Sequence, residues 1–153
     1  MTEVKTYWKE SPILFLCFFA IFLAISFASL DSLIRMEYLW GTREEYGYAY
    51  IIPFVTGYFI WQKSVDLKQI EFNINWIGGL FLLTGCFLIV LGVLSATHSI
   101  TQYGYVFSIV STSLFFMCWP AFKVILGPLL LLFLAVPIPN FIFNNLSSDL
   151  QLI

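Results

Sequence analysis

Charged residues are scarce in this chain. Only 10% of its 153 residues are Asp, Glu, Lys or Arg, whereas 60% are hydrophobic, including 17 Phe, 8 Tyr and 5 Trp. A soluble domain usually carries about 25% charged residues, because its surface faces water. The formal net charge of -2 provides no basic surface of the kind that neutralises nucleic-acid phosphates. The composition therefore argues against a soluble fold and a nucleic-acid partner, and it predicts a protein surrounded by membrane lipid.

Residues that carry chemistry are also few. The three cysteines, Cys17, Cys86 and Cys118, lie inside apolar runs without a metal-ligand spacing such as C-x-x-C. We expect them to be small buried hydrophobic side chains, which form little thiolate and are poor nucleophiles. The pair Glu44 and Glu45 is expected to be a solvated collar, since neighbouring positions on a helix do not face each other. The sequence assigns no catalytic residue, cofactor or metal.

The single histidine has two interpretations. His98 lies in the stretch SATHSITQ after an apolar run. It is either a general base, which needs a partner within hydrogen-bond reach, or a solvated loop residue. No cysteine lies near it in the predicted topology, so the loop interpretation is favoured and the role of His98 stays open.

Apolar runs predict an all-α, polytopic membrane protein. A helix rises about 1.5 Å per residue, so about 20 apolar residues cross a hydrocarbon core of about 30 Å. The runs predict five spans in a single membrane domain, at residues 12–30, 46–62, 76–96, 103–119 and 124–143, with residues 144–153 beginning a further, incomplete element. A signal peptide is the alternative for the first run. The last helix is expected to break at Pro137 and Pro139, because proline fixes φ and lacks an N–H donor.

Lys and Arg counts predict the orientation. Basic loops stay on the cytoplasmic side, and an N-terminus inside places five of the seven basic residues there. The cytoplasmic set is Lys5, Lys9, Lys63, Lys68 and Lys123, and the outer set is Arg35 and Arg43. The segment from Asp31 to Glu45 is then the outer connection between the first two spans. No ionisable residue lies within an apolar span, which disfavours a transporter.

Two stretches resemble the N-terminal half of the exosortase family. In YGYAYIIPFVTGYFIWQKSVDL, residues 46–67, Tyr46 and Pro53 match a Tyr-Ser-His-Gly-x-x-x-Pro block, and Trp61 and Lys63 follow as they do in the family. The sequence departs from the block at residues 47–49, where Gly-Tyr-Ala replaces Ser-His-Gly. The second stretch, residues 126–153, is the more specific, and its matching residues are Pro128, Leu129, Phe133, Pro137, Pro139, Leu150 and Gln151.

The resemblance implies a multi-pass cysteine transpeptidase or protease of the bacterial inner membrane. Such enzymes process C-terminal sorting signals of exported proteins that contain a Pro-Glu-Pro type motif. The family's catalytic Cys, Arg and His would lie downstream of Leu150 and Gln151, so the chain is expected to be an N-terminal fragment that is inactive alone. Whether it is an enzyme therefore stays open. The alternatives are a non-enzymatic membrane subunit that packs with a partner bundle, and a transporter or polysaccharide-export component.

Overall fold

Helices account for nearly all of the structure, which is a computed structural model that describes residues 12–67 and 74–138. The helices are α1 (Pro12–Ala28), α2 (Leu30–Thr42), a 3₁₀ helix (Glu44–Tyr50), α3 (Ile51–Gln62), α4 (Ser64–Leu67), α5 (Trp76–Leu94), α6 (His98–Phe116) and α7 (Trp119–Ala135). No strand occurs within these ranges, and the predicted all-α class is confirmed. Several predictions lie outside the described residues: those for Lys5, Lys9, Lys68, Pro139 and residues 144–153.

The segment after the first predicted span is largely a helix, whereas the sequence predicts a loop from Asp31 to Glu45. Helix α1 ends at Ala28, and α2 continues at an angle of 73° to it. Ser32 and Met36 are buried and Trp40 is half-buried, so α2 presents one side to the bundle at helical spacing. Its charged residues obscured this pattern, because they lower the apolar content without breaking the helical period.

The second predicted span begins in the 3₁₀ helix and continues as α3. Pro53 is the third residue of α3. The first N–H groups of a helix have no acceptor within it, so a proline is tolerated at this position. Asn75 is the N-cap residue of α5, and its Oδ1 accepts a hydrogen bond from the Ile77 N–H at 3.0 Å. This N-cap explains why the third predicted span begins at Trp76 in the structure as well.

Helices α5 and α6 pair through small residues spaced seven apart. The glycines of α5 and the residues that they face on α6 are Gly78 with Phe115, Gly85 with Ser108, and Gly92 with Thr101. All three glycines are buried. A Cβ atom on Gly78 would lie only 2.5 Å from the Phe115 Cα, so glycine is required there by the close approach of the two backbones. The order of the pairs makes the helices antiparallel.

The remaining helices pack on this pair with alternating direction. Helix α1 runs antiparallel to α6, because Phe18 packs edge-to-face on Phe116 at 5.7 Å while Ser26 Oγ lies 3.0 Å from the Tyr105 hydroxyl. Helix α7 packs against α3, and an apolar core joins it to α4 and α6 through Leu67, Leu114, Ala121, Phe122, Ile125 and Leu129. As a result α1, α5 and α7 end, and α3 and α6 begin, at the same end of the bundle.

Helix α7 ends at Ala135, just before Pro137. Val136 is extended, with φ -77° and ψ 123°, so the helix breaks where the sequence predicts. Its start differs from the prediction, because α7 begins at Trp119 rather than Val124, with Pro120 tolerated in its first turn. Pro128 lies inside the helix. The end of the fifth predicted span, residues 139–143, falls outside the described part of the chain.

The structure supports some of the five predicted crossings. Among the described helices, only α5 is long and apolar enough by itself to cross a membrane, and the bent pair α1–α2 qualifies if it counts as one span. Helix α7 is apolar but has only 17 residues. Much of α5 faces outward, including Trp76 (85% exposed) and Leu94 (78% exposed), as a helix in contact with lipid would. The number of crossings and their orientation stay predictions.

Candidate functional site

A cleft lined by both polar and apolar residues lies at the end of the bundle where α5 and α7 end and α6 begins. Its volume is about 280 Å³. Four segments line it: the second half of α2 with the start of the 3₁₀ helix, the α5–α6 turn, the first turn of α6, and the residues after α7. The described residues that line it are Arg35, Leu39, Arg43, Tyr46, Ala96, Thr97, His98, Ser99, Gln102, Pro137 and Ile138.

The first turn of α6 holds α2 in place through Ser32. The Ser32 Oγ lies 3.4 Å from His98 Nδ1, and the Ser32 carbonyl oxygen accepts a hydrogen bond of 3.0 Å from Gln102 Nε2. His98 and Gln102 are four residues apart, so their side chains lie on the same side of α6. Gln102 is only 2% exposed, and a buried amide left without this acceptor would be costly. The contact therefore fixes the distance between α2 and the start of α6.

The two arginines of the cleft lie on α2 and at its end. Arg35 follows Ser32 by three residues and so lies on the same side of the helix. Arg43 is the C-cap residue, with φ -111° and ψ 118°, and its N–H donates to the Leu39 carbonyl oxygen at 3.1 Å. Both side chains are exposed, and within residues 12–67 and 74–138 neither makes an ion pair. No Asp or Glu of those residues lines the cleft.

Aromatic residues contribute to the cleft and join the elements around it. Tyr46 is 8% exposed, and its N–H donates to the Arg43 carbonyl oxygen at 3.1 Å, which begins the 3₁₀ helix. Trp40 Nε1 donates to the Ala135 carbonyl oxygen at 2.9 Å, and its ring packs edge-to-face on Tyr50 at 5.3 Å. The hydrogen bond satisfies a carbonyl group at the C-terminus of α7. It also ties α2 to the segment that carries Pro137 into the cleft.

A tight turn brings the N-terminus of α6 to the cleft. Ala96 adopts a left-handed conformation, with φ 51°, and the Thr97 N–H donates to the Gly92 carbonyl oxygen at 3.0 Å. A left-handed residue after a helix reverses the chain in this way, although glycine is the usual choice. Thr97 is the N-cap residue of α6, but its side chain makes no capping hydrogen bond to that helix. The N-terminal end of α6, with its partial positive charge, therefore faces the cleft.

The structure corrects two predictions about individual residues. His98 is the first residue of α6 and half-buried in the cleft wall, so the solvated-loop interpretation is wrong. Cys17 is exposed on α1, whereas Cys86 and Cys118 are half-buried, so Cys17 is not enclosed by the protein as expected of a buried side chain. Glu44 and Glu45 are exposed at the start of the 3₁₀ helix, in agreement with a solvated pair.

None of the three cysteines lines the cleft, and His98 has no thiol beside it there. Within the described ranges, no group of three or more His, Cys, Asp or Glu side chains is placed to hold a metal ion.

The sequence did not predict that Arg35, Arg43, Tyr46 and Gln102 line the same cleft as His98. One signal was present: Arg35 and Arg43 were the only basic residues on the predicted outer side, where basic residues are under-represented. A pair that departs from this bias is a candidate for function. Gln102 gave no signal of its own, because a single glutamine next to an apolar run is ordinary.

Comparison with known protein families gives a match. The family model described as transmembrane exosortase matches residues 40–153, about three quarters of the chain. No curated protein matches the chain, and no solved structure does. The matched range includes most of the cleft, from Arg43 to Ile138, but it begins after Arg35 and Leu39.

Proposed function

The chain belongs to the transmembrane exosortase family, and on that basis we propose that it forms the substrate-binding part of a membrane cysteine transpeptidase or protease. The proposed substrates are exported proteins with a C-terminal sorting signal of the Pro-Glu-Pro type. The observation that carries the proposal is the cleft. It combines apolar wall residues with several hydrogen-bond donors, including two arginines, in a protein whose surface is otherwise largely apolar.

The chain supplies binding rather than the nucleophile. A cysteine transpeptidase attacks a peptide bond with a thiolate, forms a thioester, and passes the acyl group to an amine or to water. Cys17, Cys86 and Cys118 all lie away from the cleft. The attacking thiolate must therefore come from residues other than these, and we propose that the chain alone does not cleave its substrate.

The proposed setting is the bacterial inner membrane, with the cleft on the outer side. Lys63 lies at the end of α3 and Lys123 in the first turn of α7, so both lie at the end of the bundle opposite the cleft. Lysines on the cytoplasmic side would place the cleft where exported proteins emerge.

A photocrosslinking experiment tests the proposal. The chain is expressed in bacterial membranes with a photoreactive amino acid at Leu39, which lines the cleft, or at Trp61, which is 72% exposed on α3 near the opposite end. An exported reporter carries a Pro-Glu-Pro sorting signal or lacks it. We expect a signal-dependent crosslink from position 39, none from position 61, and no cleavage.

Two outcomes would contradict the proposal. Cleavage of the reporter by this chain would show that one of its own cysteines is the nucleophile. A crosslink from position 39 that does not depend on the signal, or none at all, would favour the alternative of a non-enzymatic subunit that packs with a partner bundle.

A further inference from the structure

We propose that the cleft is an anion site that binds one carboxylate of an extended peptide, and that Arg35 and Arg43 are the residues that contact this carboxylate. The inference rests on the proposed function, since the peptide would be the signal that is processed. It adds the chemistry by which the cleft recognises that peptide, and it assigns the role to two residues of one short segment.

The cleft is lined by two cationic side chains. Arg35 and Arg43 lie eight residues apart at the same cleft, and in the part of the chain that the structure describes neither guanidinium is ion-paired. No described carboxylate lines the cleft with them. A guanidinium group presents a planar fork of N–H donors that matches a carboxylate in a bidentate contact. Two such groups without a protein partner are therefore suited to an anion that arrives from outside.

The first turn of α6 adds donors of a second kind. Thr97, His98 and Ser99 all line the cleft, and the Thr97 side chain does not cap the helix. The first N–H groups of a helix lack acceptors within it and carry partial positive charge. The arginines on α2 and the N-terminus of α6 therefore face the same space from two sides. An anion between them would be stabilised by both.

The surroundings of the cleft favour a peptide over an anionic lipid surface. Four exposed carboxylates, Asp31, Glu37, Glu44 and Glu45, lie on the same segments but outside the cleft. They would repel a surface of negatively charged headgroups, because the repulsion adds over every headgroup near these segments. A single carboxylate inside the cleft would lie among residues that include both arginines and none of the four carboxylates. These charges therefore favour an isolated negative charge over a charged surface.

The walls suit apolar residues on either side of that charge. Leu39, Pro137 and Ile138 line the cleft beside the arginines, and Pro137 is buried. Apolar surface removed from water contributes about 25 cal/mol per Å² to binding. The cleft also lies where the helices end, so a chain can enter it lengthwise from the aqueous side. A carboxylate flanked by small apolar residues in extended conformation fits this combination.

Peptide binding to the chain in neutral phosphatidylcholine nanodiscs tests the proposal. The probe is a fluorescent, N-acetylated and C-amidated peptide with one Glu between two prolines, and its analogue has Gln in place of Glu. Fluorescence anisotropy gives both affinities. Because a hydrogen bond to a charged group is typically the stronger kind, we expect the Gln peptide to bind at least about tenfold more weakly.

Variants assign the discrimination to residues. We expect Arg35→Gln and Arg43→Gln each to reduce the preference for Glu to roughly threefold or less, since each removes one guanidinium. Lys123→Gln is the matched control: Lys123 is also exposed, but it lies at the opposite end of the bundle, near the Trp119 ring. It should leave the preference unchanged. The affinities of the wild-type chain for the Glu and Gln peptides are measured without any variant. A folding defect in one variant therefore does not decide the outcome.

Three results would overturn the inference. One is equal binding of the Glu and Gln peptides by the wild type, and another is full retention of the preference for Glu in the arginine variants. In a third arm, phosphatidylglycerol in the nanodiscs would abolish peptide binding to the wild type at constant ionic strength, which would identify the site as a lipid-phosphate site. Failure of the proposed function is distinguishable: the Glu preference would hold while position 39 gave no signal-dependent crosslink.

Discussion

The glycine-mediated contact between α5 and α6 gives a prediction whose size follows from the structure. In Gly78→Ala, the new Cβ would lie 2.5 Å from the Phe115 Cα and 2.7 Å from the Leu114 carbonyl carbon, whereas ordinary contacts begin at 3.4 Å. Both neighbours are backbone atoms, so no side chain can rotate away, and the helices must separate locally by roughly 1 Å. Separation also strains the hydrogen bond of 2.9 Å from the Asn75 N–H to the Phe115 carbonyl oxygen.

Two opposing contributions set the change in the free energy of unfolding for Gly78→Ala. Overpacking of this kind costs about 1–3 kcal/mol, and the better helix propensity of alanine returns up to about 1 kcal/mol. We therefore expect Gly78→Ala to lower the free energy of unfolding by about 1–2 kcal/mol. Gly57→Ala is the matched control, because no atom lies within 4 Å of the position that its Cβ would occupy. It should be neutral or more stable by up to about 1 kcal/mol.

The assay is equilibrium unfolding of the purified chain in mild detergent, by titration with a denaturing detergent and detection by far-ultraviolet circular dichroism. The two variants should differ by about 1–3 kcal/mol in the free energy of unfolding, since the gain in helix propensity is common to both and only the overpacking differs. A difference below about 0.5 kcal/mol would refute the reasoning. It would mean that the two backbones do not approach as closely as the structure places them.

Two further predictions concern hydrogen bonds and use the same unfolding assay. Trp40→Phe removes the donor to the Ala135 carbonyl oxygen and should lower the free energy of unfolding by about 0.5–1.5 kcal/mol. Trp61→Phe, at an exposed position, is the control and should change this free energy little. Equal effects of the two variants would contradict the hydrogen bond from Trp40. Asn75→Ala removes the N-cap of α5, which accepts from the Ile77 N–H, and should cost about 0.5–2 kcal/mol. Asn75→Asp keeps the acceptor and should retain the stability; a loss equal to that of the alanine variant would argue against capping.

The length of the apolar runs in the sequence predicts the helices that are made mostly of apolar residues. The third predicted span, 76–96, agrees with α5 at Trp76–Leu94, and the break before Pro137 follows from the chemistry of proline. Helix α6 starts at His98, five residues before the predicted span, because its first turn is polar and does not raise the local hydropathy. Helix α2 was not predicted as a helix for the same reason. Hydropathy detects contact with lipid, whereas helical structure depends on backbone hydrogen bonds that polar residues also allow.

The cleft could not be predicted in the same way. His98 and Ser32 are 66 residues apart in sequence, and Trp40 and Ala135 are 95 apart, so each contact depends on how α2 lies across the bundle. The angle of 73° between α1 and α2 sets that position. No feature of residues 28–30 specifies such an angle. The resemblance to exosortases placed Tyr46 and Pro137 in a family context, but it did not show that they share a cavity.

The uncharged turn between α5 and α6 has a consequence for biogenesis. Residues 95–97 are Ser, Ala and Thr, so no Lys, Arg, Asp or Glu lies at the tip of the hairpin formed by α5 and α6, which contributes residues to the cleft. Carrying a formal charge past the middle of a bilayer costs about 2.5–3.5 kcal/mol on insertion scales, and this tip avoids that cost. We expect the hairpin to enter the membrane as one unit, with the charged segment that carries Arg35 and Arg43 docking only afterwards. Substrate recognition would then be a property that the nascent protein acquires late, once insertion is complete.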